Sequence, residues 1–262
     1  MKAPDGFLEA HLRARRDGGA KLLVPYITGG IDPRWVDLVR SAADAGADAI
    51  EIGIPFSDPV MDGPTIQAAS ERALEHGATP ASILDDLAEA DVDVPLAVMT
   101  YFNIVFHAGV ERFASEARAA GISGVILPDV PLEEMGEWDP AAAAAGLETV
   151  MLVSPLTPAD RVPRLTGRAQ GFVYGVNLLG VTGERASIGS MAAELAGRLK
   201  AVTDVPTVMG FGVSTPAQAA EVAAHADGVV VGSALMRRVL DGEGPLRVGQ
   251  AISELRAALD GG

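Results

Sequence analysis

The sequence predicts an α/β chain whose eight strands close into a single (β/α)8 barrel, a TIM barrel with extra N-terminal and peripheral helices. Three observations lead there. A short β-branched run, a loop rich in Gly, Pro, Asp or Thr, and an alanine-rich helical stretch ending near glycine recur eight times. The 262 residues are 48% hydrophobic and contain no linker-like stretch, which suits one domain spanning 1–262. Each strand–helix–strand crossover is right-handed, so eight such units can close on themselves. A doubly wound open sheet is the competing arrangement.

Taken in order, strands are expected at 22–27, 49–54, 96–100, 124–127, 149–153, 171–176, 207–210 and 228–231. Helices are expected to begin near Pro33, Thr65, Val110, Leu132, Pro158, Ser190, Thr215 and Ala234, with additional ones over 4–17, 80–89 and 245–259. Barrel active sites lie at the C-terminal ends of the strands, so the loops that follow them carry the functional reading.

The second strand leads into an acidic loop. In Asp48-Ala-Ile-Glu-Ile-Gly-Ile54, the isoleucines share one face while Ala49, Glu51 and Gly53 share the other. Glu51 therefore points into the barrel, where a charge is costly unless used or paired, and burial is expected to raise its pKa. Asp58 and Asp62 follow between Pro55, Pro59 and Pro64, and Thr65 can cap the next helix. Asp62 before Gly63 also fits a plain turn, and Asp58 stays open between the two uses. Two carboxylates in different environments can act as proton donor and acceptor, which makes Glu51 and Asp62 the catalytic candidates.

The far end of the chain reads as an anion site. Gly180-Val-Thr-Gly183 follows strand six, Gly210-Phe-Gly212 strand seven, and Gly232-Ser233 strand eight directly before a helix. Glycine lets the backbone approach an anion, and a helix N-terminus offers free N–H donors. Tyr26, Tyr101, Tyr174 and Phe211 are candidate walls for a flat organic group, with Asn103, Asp129 and Thr182 as candidate orienting residues.

Several classes are disfavoured. A net charge of −15 opposes nucleic acid or an anionic membrane as partner. There is no apolar run of membrane length and no signal-like start, so a cytoplasmic location is expected. With no cysteine and scattered His11, His76, His107 and His225, no metal site is expected. The three lysines, Lys2, Lys21 and Lys200, do not sit where a Schiff base would form. No nucleotide fingerprint is complete either. A carbon–carbon cleavage would then need a substrate that accepts the electrons itself once protonated.

The blocks Pro55-Phe-Ser-Asp-Pro59, Asp62-Gly-Pro-Thr-Ile-Gln67, Met99-Thr-Tyr-Phe-Asn103, Leu127-Pro-Asp-Val-Pro131, Gly180-Val-Thr-Gly183 and Gly210-Phe-Gly-Val-Ser214 closely resemble the tryptophan synthase α subunit family. The resemblance runs from about Leu22 to Leu259. It implies a lyase that cleaves indole-3-glycerol phosphate to indole and D-glyceraldehyde 3-phosphate by a retro-aldol step, in tryptophan biosynthesis. It makes Glu51 the general acid–base residue at indole C3 and the glycerol hydroxyl, and Asp62 the partner of the indole N–H. It places Tyr174 and Thr182 in the active site, Thr182 in a lid, and Gly183, Gly212, Gly232 and Ser233 in a phosphate cradle. No cofactor is implied on this chain; pyridoxal phosphate belongs to a partner β subunit that receives indole in an αββα tetramer. A free-standing lyase and a non-catalytic regulatory barrel are the alternatives. The chain departs from the family at Thr28-Gly-Gly-Ile-Asp-Pro33, one residue longer than usual, and at Asn177, Leu178 and Leu179 ahead of the lid.

Overall fold

The structure, a computed structural model, describes residues 6–177 and 188–261. Eight parallel strands, β1 (Leu22–Thr28), β2 (Ile50–Gly53), β3 (Leu96–Met99), β4 (Ile122–Ile126), β5 (Glu148–Val153), β6 (Val173–Val176), β7 (Thr207–Gly210) and β8 (Gly228–Val231), form a closed barrel in sequence order. Closure is made by β1 against β8, with Leu22 beside Gly228 and Pro25 beside Val231. The expected barrel is therefore present, and the open-sheet alternative is excluded. Its strands are apolar on both faces because the outer face packs under helices and the inner face fills the barrel.

The helices are α1 (Phe7–Asp17), α2 (Trp35–Asp44), α3 (Pro64–Glu75), α4 (Pro80–Ala88), α5 (Phe102–Ala108), α6 (Val110–Ala119), α7 (Trp138–Ala145), α8 (Val162–Thr166), α9 (Ile188–Lys200), α10 (Pro216–Ala223), α11 (Ser233–Leu240) and α12 (Pro245–Asp260). Three differ from expectation. The helix expected near Leu132 is only a 3₁₀ turn over Leu132–Glu134, and α7 starts at Trp138. Pro158 instead opens a turn, its carbonyl accepting the N–H groups of Arg161 and Val162, so α8 begins later. Helix α5 was not expected, because Tyr-Phe-Asn-Ile-Val-Phe is rich in aromatic and β-branched residues. A tertiary contact overrides that preference: both Asp129 carboxylate oxygens accept the Phe102 N–H, at 3.0 and 3.1 Å, at the start of the helix.

The N-terminal end of the barrel is tied down by carboxylates. Asp48, 2% exposed, accepts from the Leu23 N–H at 2.8 Å, Arg15 at 2.6 Å and Arg256 at 3.1 Å, joining α1, β1, the start of β2 and α12. Glu148 accepts the N–H groups of Leu8 and Glu9 at 2.7 and 2.9 Å, satisfying free donors at the start of α1. Leu8 then fits against Gly124 and Gly171, where a Cβ would come within 2.5 and 2.6 Å of its Cδ2. The base is thus plugged, and the cavity opens at the other end.

The first loop packs tightly against its surroundings. Gly30 adopts φ +74°, and a Cβ there would lie 2.5 Å from the Ala78 Cβ, while Ile31 is fully buried. The loop turns through a left-handed glycine and buries a core side chain.

Candidate active site

Period-two geometry places Tyr26, Glu51, Met99, Leu152, Tyr174, Val176, Gly210 and Val230 at the inner mouth, around a cavity of ≈ 470 Å³. That volume falls in the range for small-molecule sites. The acidic loop after β2 covers one side with Val60, Met61, Asp62 and Gly63, and Gly212, Gly232 and Ser233 line the cavity as well.

Glu51 is fully buried, and neither of its oxygens completes a hydrogen bond among the described residues. Burial pushes its carboxyl up to about 8; the nearby Tyr174 hydroxyl draws it down, short of hydrogen-bond geometry in this conformation, and the charge of Asp62 adds a further rise. Asp62 is half-buried and accepts a hydrogen bond from the Tyr101 hydroxyl at 3.2 Å. Burial raises it to about 6, with that hydrogen bond pulling the other way. Burial therefore favours the protonated form more strongly at Glu51 than at Asp62. Two carboxyl groups in different environments thus face one cavity.

All three tyrosines of the chain surround these carboxylates. Two of them need glycine beside them. A Cβ at Gly53 would collide with the Tyr26 hydroxyl, and one at Gly210 would lie 2.5 Å from the Tyr174 ring. Opposite the acidic loop, Ser233 begins α11 and Gly232 precedes it without a side-chain cap. Among the described residues no side chain accepts from the first N–H groups of α11, and Gly212 adopts φ +72° at the same wall.

The model of the family described as "Tryptophan synthase alpha chain" matches residues 12–257. The chain belongs to the tryptophan synthase alpha chain family. Alpha chains of Streptomyces coelicolor and Halorhodospira halophila are 45% and 44% identical to it. They cover 87% and 95% of this chain, which in turn covers 85% and 94% of theirs. The solved tryptophan synthase subunit alpha of Legionella pneumophila superposes with a TM-score of 0.90 at 35% identity, covering 99% of this chain and 100% of that one. A Mycobacterium tuberculosis tryptophan synthase structure gives 0.88 at 37% identity, covering 96% and 97%.

Within this alpha chain fold, the sequence-based site residues divide. Glu51, Asp62, Tyr26, Tyr174, Gly212, Gly232 and Ser233 all line the cavity. Tyr101 meets it through Asp62. Phe211 is not among the lining residues: it is 3% exposed and packs in the core, between two glycines that do line the cavity. Asp58 is exposed and bonds Ser57, and Asn103 is exposed on α5, so neither lines the cavity. Asp129 acts on the Phe102 N–H. Thr182 and Gly183 lie outside the described residues, as do Leu178 and Leu179. Thr65 is not the cap of α3: Pro64 takes the first helical position, and the Thr65 hydroxyl accepts from Arg237 at 2.7 Å.

Met99, Leu152, Val176 and Val230 were not singled out from the sequence, nor was Asn177 as a lining residue. In a barrel both strand faces are largely apolar, so inner and outer positions look alike; counting by twos from Tyr174 reaches Val176 and from Glu148 reaches Leu152, whereas β3 and β8 carry no polar residue to count from. Lys21 donates to the Ala226 carbonyl and Lys200 pairs with Asp227, both at the opposite end of the barrel. Among the described residues, no helix is long and apolar enough to cross a membrane.

Proposed function

We propose that this chain cleaves indole-3-glycerol phosphate to indole and D-glyceraldehyde 3-phosphate, with Glu51 and Asp62 as its catalytic pair. One observation carries the assignment of roles: a fully buried Glu51, its carboxyl pushed up by burial, and a half-buried Asp62 line the same cavity.

The protonated Glu51 donates its proton to C3 of the indole ring, and the ring becomes an indoleninium cation. Asp62 accepts a hydrogen bond from the ring N–H and stabilises that positive charge. Glu51, now a carboxylate, takes the proton of the glycerol hydroxyl on the carbon attached to C3. The carbon–oxygen bond becomes a carbonyl, the bond to C3 breaks, and its electron pair restores the aromatic indole. Glu51 ends protonated as it began, so the step is balanced without an outside acid or electron acceptor. The phosphate is assigned to Gly212, Gly232 and Ser233, with Gly183 from the resemblance, where a helix start and bare backbone suit an anion. Tyr26, Leu152 and Tyr174 supply apolar surface for the ring.

A β-subunit partner fits the family and the likeness to the Mycobacterium tuberculosis tryptophan synthase. Val60 and Met61 on the acidic loop and Phe106 on α5 are exposed apolar side chains on elements that follow strand ends at the mouth. Pyridoxal phosphate is assigned to that partner. Measuring indole release from the purified chain, with and without a β subunit, tests both points: release in neither case overturns the reaction, and release unaffected by the β subunit favours a free-standing lyase.

A further inference from the structure

Tyr101 was expected to be a wall of the pocket, yet its hydroxyl has more specific work. It donates to Asp62 Oδ2 at 3.2 Å and accepts the Met61 N–H at 3.0 Å. An accepted N–H occupies one side of the phenol oxygen, which directs its single proton toward Asp62. The ring is held too. It packs on Phe56 with centroids 5.0 Å apart, and Tyr101 immediately precedes α5, whose first N–H is fixed by Asp129.

We propose that Tyr101 is the positioning residue for Asp62: its phenol, oriented by the Met61 N–H, sets the direction in which the Asp62 carboxylate faces the ring N–H of the substrate. The proposal rests on the reaction proposed above. Phe56, Met61 and Asp62 all belong to the acidic loop, so one side chain from the end of β3 grips that loop at two places. The other titratable groups acting on this region are Glu51 from β2, Tyr26 from β1 and Tyr174 from β6, with Asp129 after β4 facing Tyr101. None of these donates a hydrogen bond to Asp62 among the described residues, whereas Tyr101 does. Arg237 is engaged by Thr65. The hydrogen bond also favours the charged form of Asp62, counteracting the effect of burial.

The test is a carboxyl-carbon NMR titration of Asp62 in the ligand-free enzyme, comparing wild type with Tyr101→Phe. Loss of a hydrogen bond to the carboxylate should raise the Asp62 midpoint by roughly one unit. Replacing Tyr101 by 3-fluorotyrosine, a stronger donor of nearly the same shape, should lower it and keeps the proposal testable if the phenylalanine variant misfolds. In turnover assays Tyr101→Phe should reduce kcat about ten-fold with KM changed less than about two-fold, and in an Asp62→Asn background it should cost nothing further. An unmoved midpoint, or a rise in KM at unchanged kcat, overturns the proposal and returns Tyr101 to the role of a wall. Absence of indole release from the wild type would overturn the reaction instead, while the titration would still decide the role of Tyr101.

Discussion

Glu51 is the register partner of Tyr26 across the β1–β2 pair, and the two side chains are 0% and 5% exposed. A carboxyl and a phenol thus sit level on the inner face of adjacent strands, with Gly53 leaving room for the phenol. The arrangement keeps water from Glu51 and accounts for its raised pKa.

Removing the acid while keeping its shape isolates its role. Glu51→Gln should retain the fold and bind phosphate-bearing ligands as before, while turnover falls by at least about 100-fold. Steady-state kinetics with circular dichroism as the folding control measure both.

The same residue makes stability depend on pH. Its folded pKa of about 8 lies above the ordinary 4.5, so the folded chain holds the proton more tightly than the unfolded chain. Its contribution is fully present below pH 4.5 and is lost as pH rises through 8, by something on the order of 5 kcal/mol. Glu51→Gln should therefore be more stable than wild type at pH 8.5 and close to it at pH 4.5, on the urea unfolding scale.

Catalysis should follow a bell. Asp62 is charged above about pH 6 and Glu51 is protonated below about pH 8, so kcat/KM should be highest between those values. Asp62→Asn should lower turnover and remove the acid limb. An acid limb unchanged in that variant would assign it to another group.

At the opposite wall, Gly212→Asp puts a charged side chain on a residue with φ +72° beside the proposed phosphate site. Binding of inorganic phosphate or of glycerol phosphate should weaken by at least about ten-fold, read by calorimetry. Unchanged affinity would move the anion elsewhere in the cavity.

Gly30→Val should destabilise the fold by about 1–3 kcal/mol, because it forces a β-branched residue into a left-handed backbone and against Ala78. Denaturant unfolding at pH 7 checks it, with Gly19→Val, whose added Cβ meets nothing within 4 Å, separating backbone strain from the clash.

The barrel was legible because its repeat is written in composition: apolar, mostly β-branched runs alternate with helical stretches, most of them bearing alanine. Glu51 was legible because a lone acid among isoleucines reveals which face of β2 points inward. Other features depend on partners remote in the chain. Helix α5 forms where Asp129, 27 residues away, supplies an acceptor for the Phe102 N–H. Phe211 reads as a wall because its glycine neighbours mark the cavity, yet its side chain is buried in the core and only the glycines line the cavity. Tyr101 looked like a wall for want of any local sign that Met61 and Asp62 would fold back onto its hydroxyl.

The carboxylate of Asp48 gathers a strand, two arginines and the helices that carry them at the end of the barrel farthest from the cavity. Cohesion is concentrated at one pole and chemistry at the other. Loops at the reactive pole are therefore free to be exchanged, by evolution or by an engineer looking for a new substrate, without loosening the fastening that keeps the eight strands together.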